Sequence, residues 1–225
     1  MMIENMLSEM EATGNPRDAV LMKAYMKGHF DYYGLKSVPR RTIFQKHFDK
    51  KAVKDRAHLV SLVDQLWQEP HREAHYSAMY LLDKFKPWMT IDMLPHIENL
   101  ITTKSWWDTV DHLAAHQIGL ILSKLSPQQR RTIAYRYLES NHLWLQRTAI
   151  IFQLFYKENT DTELLSECIL ATISEKNFFI RKAHGWALRH YSKTNKLFVA
   201  QFLSNHRDVL SPLAIKEASK YLTSV

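Results

Sequence analysis

Trp106-Trp107-Asp108-Thr109-Val110-Asp111 sets two indole rings and two carboxylates within a helical turn and a half, just before the apolar run Leu113 to Leu122. Residues four apart on a helix share a face, so Trp107 and Asp111 point the same way. A flat ring beside a carboxylate suits a substrate with an apolar sugar face that becomes cationic as it reacts. The same spacing also fits a plain buried tryptophan with a carboxylate near a helix end. Asp108, His112 and His116 fall on a second stripe, but no fourth ligand is evident, so no metal site is expected. In His71-Arg72-Glu73-Ala74-His75 two imidazoles are four apart, with the glutamate misplaced for the zinc-protease pattern. The chain has no phosphate loop, no dinucleotide glycine fingerprint and no nucleophile elbow.

The elements that must carry these residues read as helices. Only 5 Gly and 7 Pro occur in 225 residues, too few punctuators for a turn-rich β fold. Apolar residues recur at three- and four-residue spacing almost throughout. Met22, Tyr25, Met26 and Phe30 make one stripe; Leu59, Leu62, Val63, Leu66 and Trp67 make another; Tyr76, Met79, Tyr80 and Leu82 follow. Pro16, Pro127 and Pro212 each follow Asn or Ser, the pattern of a helix N-cap and first helical position. The near-continuous apolar run Thr148 to Phe155 predicts a helix covered on both sides.

The helices also repeat. Asn141-His142-Leu143-Trp144-Leu145-Gln146-Arg147-Thr148-Ala149 parallels Lys176-Asn177-Phe178-Phe179-Ile180-Arg181-Lys182-Ala183-His184, and Ser105-Trp106-Trp107 opens a similar unit earlier. The offsets of about 35 to 40 residues are those of HEAT-type helix pairs. Such a pair cannot bury its apolar face alone and stacks on its neighbours. The expected fold is all-α: one domain over residues 1–225, a curved solenoid of HEAT-like antiparallel helix pairs with a concave groove.

Composition narrows the partners. A net charge of +7 with 6 Trp, 10 Tyr and 10 Phe favours an anionic partner, nucleic acid before membrane. Lys36, Arg40, Arg41, Lys46, Lys50, Lys51, Lys54 and Arg56 form a basic stretch, either a solvated face or an edge for phosphates. Cys168 is the sole cysteine, so no intrachain disulfide forms and a reducing cytoplasm is expected. The N-terminus does not read as a signal peptide, and no stretch approaches the roughly 20 apolar residues of a membrane span.

Lys104 to Asp111 resembles the signature of AlkD-type DNA alkylation repair glycosylases. So do Trp144-Leu145-Gln146-Arg147 with the apolar run after it, and Phe178 to Trp186. Tyr25-Met26-Lys27 with Phe30, and Pro39-Arg40-Arg41, resemble the family's N-terminal segment. The likeness runs in order over nearly the whole chain. It implies a HEAT-like solenoid that holds duplex DNA in a basic groove and excises purines alkylated at N3 or N7. It assigns Asp111 as the catalytic carboxylate, Trp107 and Trp186 as the rings packing on the lesion-bearing nucleotide, and Arg147 as the arginine that holds the backbone there. Tyr25 matches an aromatic at the DNA interface; Lys182, Arg40 and Arg41 lie in matching segments and are expected at the same interface. It implies a monomer with no cofactor and no obligate protein partner, in a cytoplasm where it associates with the nucleoid. It further implies a target base left exposed to solvent.

The chemistry follows from the residue types. A purine alkylated at N3 or N7 is already cationic and leaves without protonation. The enzyme must chiefly stabilise the oxocarbenium-like sugar, and a fixed group of this kind is worth about 3 kcal/mol. Tryptophan faces add about 0.5–2 kcal/mol each toward a cation. The chain departs from the family pattern in one place. The link Gly34 to Pro39 is one residue longer, with Lys36 or Ser37 where an amide side chain is expected. Two other classes share the fold: a non-catalytic binder of damaged or branched DNA, and a protein-interaction scaffold.

Overall fold

Helices open where small polar residues meet proline. The Asn15 side chain accepts the N–H groups of Arg17 and Asp18 at 3.0 and 3.2 Å, ahead of Pro16. Ser126 forms a reciprocal capping box with Gln129 ahead of Pro127. Ser211 accepts Ala214 N–H at 3.2 Å ahead of Pro212. Each cap satisfies a backbone donor that the helix itself leaves unpaired, worth about 1 kcal/mol.

A computed structural model describes residues 3–222. The chain groups into two compact units, Met1–Trp88 and Met89–Val225. The described residues form helices and no strand; Asp31 and His71 make one isolated backbone bridge.

The first unit holds α1 (Ile3–Thr13), α2 (Pro16–Tyr25), α3 (Ser37–His47), α4 (Arg56–Gln68) and α5 (Arg72–Lys84). The expected α4 stripe of Leu59, Leu62, Val63, Leu66 and Trp67 is entirely buried. The stripe drawn through Met22, Tyr25, Met26 and Phe30 is corrected. The helix stops at Tyr25 because Lys27 and Gly28 take left-handed φ values of 57° and 79°, and only Met26 of the four is buried. The link after it is held by Glu73. This fully buried carboxylate accepts the N–H groups of Tyr33, Gly34 and Leu35 at 3.2, 2.9 and 3.0 Å. Gly34 sits at φ 89°, and a Cβ there would lie 2.0 Å from the Asn15 carbonyl oxygen. The buried Arg72 guanidinium lies 3.7 Å from the Phe30 ring centroid.

The second unit contains α6 (Leu94–Thr102), α7 (Trp107–His112), a π-helical turn (Leu113–Ile118), α8 (Gly119–Ser123), α9 (Pro127–Glu139), α10 (Leu143–Ile151), α11 (Thr162–Ala171), α12 (Phe178–Tyr191), α13 (Lys196–Asn205) and α14 (Pro212–Ala218). The α7–α8 helix, α10, α12 and α14 form a row, each packed on the next. Helices α6, α9, α11 and α13 pack against that row. The repeat period appears directly in side-chain bonds. Tyr156 Oη donates to the Gly119 carbonyl 37 positions away, Lys182 pairs with Glu217 at 35, and Arg131 with Glu167 at 36.

The run Thr148 to Phe155 is not one helix. α10 ends at Ile151, and the following turn still buries Phe152 and Leu154 but leaves Phe155 half exposed. Gln153 fixes that turn: its amide exchanges two hydrogen bonds with the backbone of Asp161, at 2.8 and 3.1 Å. Gly119 lets α8 approach it, since a Cβ there would fall 2.5 Å from the Phe152 carbonyl oxygen. Cys168 is buried in α11, and burial pushes its thiol up to about 12.

The contact of α12 with α14 generates two expected outcomes. A Cβ on Gly185 would lie 2.5 Å from Glu217 Cβ and 2.8 Å from the Ala214 carbonyl oxygen, so Gly185→Ala forces the helices apart. The cost is about 2 kcal/mol, a fall in Tm of roughly 4–8 °C; calorimetry showing no fall would remove this close approach. Glu217 bonds Lys182 and Lys220, at 2.6 and 2.8 Å, and pairs with Arg189 at 2.8 Å, and these bring its carboxyl from 4.5 to about 2. A depressed carboxyl pKa contributes stability above the unfolded value and loses it as pH falls through the folded one. Glu217→Gln therefore destabilises by roughly 2 kcal/mol at neutral pH. In denaturant titrations the gap from wild type closes between pH 4.5 and about 2; a gap independent of pH would refute the ionic origin.

Candidate active site

Three helices of the row begin beside one another on an aromatic cluster. Trp106 caps α7 in extended conformation, Trp144 lies in the first turn of α10, and Phe179 in the first turn of α12. The ring centroids are 5.8 Å apart for Trp106–Trp144, 5.2 Å for Trp106–Phe179 and 5.0 Å for Trp144–Phe179, all tilted or edge-to-face. That geometry suits the ring quadrupoles. The corner before α7 is closed by Thr103 and Ser105, whose hydroxyls donate at 2.6 Å to the carbonyls of Asn99 and Ile101 at the end of α6. Trp106 therefore belongs to the framework. Trp107, one residue later, is turned about 100° around the helix axis from it.

Asp111 and Arg147 form the centre. Arg147 Nε donates to Asp111 Oδ1 at 2.6 Å and its Nη2 to Oδ2 at 2.7 Å, a bidentate fork between α7 and α10. Arg147 Nη1 donates to the carbonyl of Phe179 at the start of α12. One buried guanidinium thus ties three consecutive helices of the row. Its carbon lies 5.8 Å from the Trp186 ring centroid, so Trp186 on α12 borders the same pair. The Asp111 side chain is 17% exposed against 4% for Arg147, so Asp111 is the less buried member of the pair. Burial pushes the Asp111 carboxyl above 3.8; the hydrogen bonds and charge of Arg147 pull it back, and Asp108 adds a smaller upward push. A carboxylate needs a cation at this depth to remain ionised.

The structure gathers three of the residues singled out in the sequence, Asp111 on α7, Arg147 on α10 and Trp186 on α12; Trp107 opens α7, one helical turn before Asp111. Arg147 is buried with its guanidinium directed at Asp111 and Phe179, which makes it a positioning group for the carboxylate. Lys182 lies on α12 with its ammonium on Glu217. The remaining three are in the first unit. Arg40 is buried, its guanidinium 4.1 Å from the Tyr76 ring centroid and donating to Tyr80 Oη at 2.9 Å. Arg41 is exposed and stands 5.5 Å from the Tyr80 ring. Tyr25 is 69% exposed beside a groove of about 390 Å³ that Arg40 and Tyr76 also line. Among the described residues no group of three His, Cys, Asp or Glu is placed to hold a metal ion. No described helix is long and apolar enough to cross a membrane.

Sequence reading missed the tether from Arg147 to the Phe179 carbonyl and the π-helical turn after Asp111. It also gave Arg147 to the DNA backbone and not to Asp111, a pair that spacing could have given. Asp111 and Arg147 are 36 positions apart and Lys182 and Glu217 are 35, so opposite charges one repeat apart mark adjoining helices.

Comparison with known proteins agrees with this architecture. The family model for DNA alkylation repair enzymes matches residues 6–222. A structure described as a predicted DNA alkylation repair enzyme from Enterococcus faecalis superposes with TM-score 0.85 at 30% identity, covering 94% of this chain and 98% of that one. AlkD2 from Streptococcus mutans gives 0.60 at 19% identity over 84% and 92% of the two chains. The smu.31 protein of the same organism gives 0.59 at 18% over 82% and 92%. These last two share the fold. No curated protein matches the chain. With the family model covering nearly every described residue and the helix order preserved end to end in the Enterococcus structure, this chain belongs to the DNA alkylation repair enzyme family.

Proposed function

We propose that the protein is a monofunctional DNA glycosylase that hydrolyses the N-glycosidic bond of N3- and N7-alkylated purines in duplex DNA. The observation that carries this reading is a carboxyl group, Asp111, held by a bidentate arginine at a site bordered by Trp186 and sharing its helix face with Trp107. The alkylated base carries positive charge before reaction. Its bond to C1′ breaks with the electron pair passing to the base, which leaves neutral. Positive charge moves to the sugar, and Asp111 stabilises it there. Water then adds at C1′ and gives up a proton. Trp107 and Trp186 supply faces for the cationic nucleotide. Arg147 fixes where the two carboxylate oxygens stand, so little reorganisation is left for the transition state.

Both Asp111 oxygens already accept from Arg147, and that observation supports a second reading, binding of damaged DNA without excision. Base release from a duplex bearing one N7-methylguanine separates the two. Asp111→Asn is expected to lower the single-turnover rate by at least about 10²-fold while leaving the affinity for the duplex near that of the wild type. Release by the variant at the normal rate would exclude Asp111. No release by the wild type, with binding intact, would favour the second reading.

The pH profile tests Arg147 separately. Burial holds the Asp111 carboxyl above 3.8, so excision falls as pH drops through a value higher than that of an ordinary aspartate. Arg147→Gln removes the group that pulls this carboxyl down, so the acid limb moves to higher pH and the rate falls roughly 10²-fold. Arg147→Lys keeps the charge but not the fork; it returns the limb toward its original position with only part of the rate. A limb that stays in place in Arg147→Gln would show that Arg147 does not set the charge of Asp111.

A further inference from the structure

Arg40 on α3 carries a buried charge that no carboxylate answers among the described residues. It is 8% exposed, its Nη2 donates to Tyr80 Oη at 2.9 Å, and its guanidinium carbon lies 4.1 Å from the Tyr76 ring centroid. Its buried Nε has no hydrogen-bond partner among the described residues. Arg147, buried to a similar degree, is matched by Asp111. Ring faces and a phenol oxygen favour a cation but bring no opposite charge. Buried charges are ordinarily paired, and an arginine does not escape that cost by losing its proton.

The groove of about 390 Å³ that Arg40 lines lies within the first unit. That is the size of a small-molecule site. The charged groups on its walls are Arg40, Lys36 and Asp18. Lys36 Nζ stands 3.2 Å from Asp18 Oδ2, so those two offset each other and the charge of Arg40 remains. Tyr25, Tyr32 and Tyr76 supply flat walls, and Met22 an apolar one. One side is formed by α2, a helix none of whose residues is buried.

We propose that this groove binds a small aromatic monocarboxylate, with the carboxylate beside Arg40 and the ring among the tyrosines. The charge count selects a monoanion, since a phosphate monoester brings close to a second negative charge with nothing to meet it. The planar guanidinium suits a planar carboxylate. Depth selects a free small molecule over a nucleic-acid backbone. A phosphodiester on a duplex needs a donor at the surface; Arg41 is exposed, and Arg40 is not. An occupant joins α2 to α3 and α5 and stabilises that unit by mass action. Its binding does not depend on base excision.

Isothermal titration of the full chain with cinnamate tests the site, beside cinnamamide as the neutral match and dimethyl phosphate as the smallest phosphodiester. Cinnamate is expected to bind with a Kd of roughly 0.1–1 mM, and the amide at least about tenfold more weakly. Arg40→Gln should weaken cinnamate by about tenfold or more. If that variant does not fold, Leu21→Trp carries the test. Leu21 lines the groove and is 66% exposed, so a larger side chain there blocks the groove without disturbing the core, and it should weaken cinnamate as much. Equal affinity for cinnamate and its amide, or unchanged cinnamate affinity in the folded variants, would overturn the site. Binding of dimethyl phosphate without binding of cinnamate would overturn it in favour of a backbone contact. No heat from cinnamate at about 10 mM would overturn it outright.

Discussion

The fork between Arg147 and Asp111 is the constraint on which the site depends. An aspartate at this depth is unfavourable as an anion, and without a cation it takes up a proton. Arg147 opposes that with two parallel hydrogen bonds and uses a third to bind the Phe179 carbonyl. Because those three partners lie on α7, α10 and α12, the charge state of one carboxylate and the alignment of three helices are a single condition. A lysine satisfies the charge alone, since it cannot form a planar fork. The aromatic cluster of Trp106, Trp144 and Phe179 performs the neighbouring task. It sets the starts of the same helices at fixed separation, so that Asp111 and Trp186 stand on either side of Arg147.

Close approach of backbones makes that register tight. Gly119 and Gly185 each occupy a point where a methyl group would overlap a neighbouring helix. Both lie on the row that carries the site, one in α8 and one in α12. The π-helical turn belongs to the same set of devices. It changes the residues per turn between Asp111 and Gly119, so a chain segment that must satisfy Asp111 at one end and the close contact at Gly119 at the other can do both. Binary patterning shows neither feature, because each depends on what the opposing helix presents.

The fold was legible in the sequence wherever local chemistry decides it. Asn15, Ser126 and Ser211 cap the helices that their prolines announce, and the α4 stripe is buried as its spacing requires. Motif resemblance named Asp111, Arg147 and Trp186, which the structure places together, but it gave Arg147 to the DNA backbone, whereas the guanidinium is turned onto Asp111 and the Phe179 carbonyl. What failed was decided at a distance. The Met22 to Phe30 stripe has helical spacing, but Lys27 and Gly28 adopt left-handed conformations that end the helix. Glu73 reads as a misplaced catalytic glutamate beside two histidines, and three backbone N–H groups from residues 33–35 make it an anchor. Arg40 and Lys182 are expected at the DNA interface because they lie in segments that resemble the family's, but what holds each side chain in this structure was not legible. Their partners, Tyr76 with Tyr80 and Glu217, come from other helices.

Two carboxylates on the same row of helices show why only one of them suits chemistry. Glu217 faces Lys182, Arg189 and Lys220, and these hold its carboxyl near 2. Its field is largely cancelled by three cations, so a further positive charge nearby gains little. Asp111 faces one arginine, and burial keeps its carboxyl above the ordinary value. With one cation opposite it, less of its charge is compensated than at Glu217, and its attraction for positive charge developing next to it is correspondingly larger. A leaving group that is already cationic needs no acid from the protein. In the proposed reaction what it leaves on the sugar is a transient positive charge, and a carboxylate with one fixed cation and two oxygens of set orientation answers that charge directly.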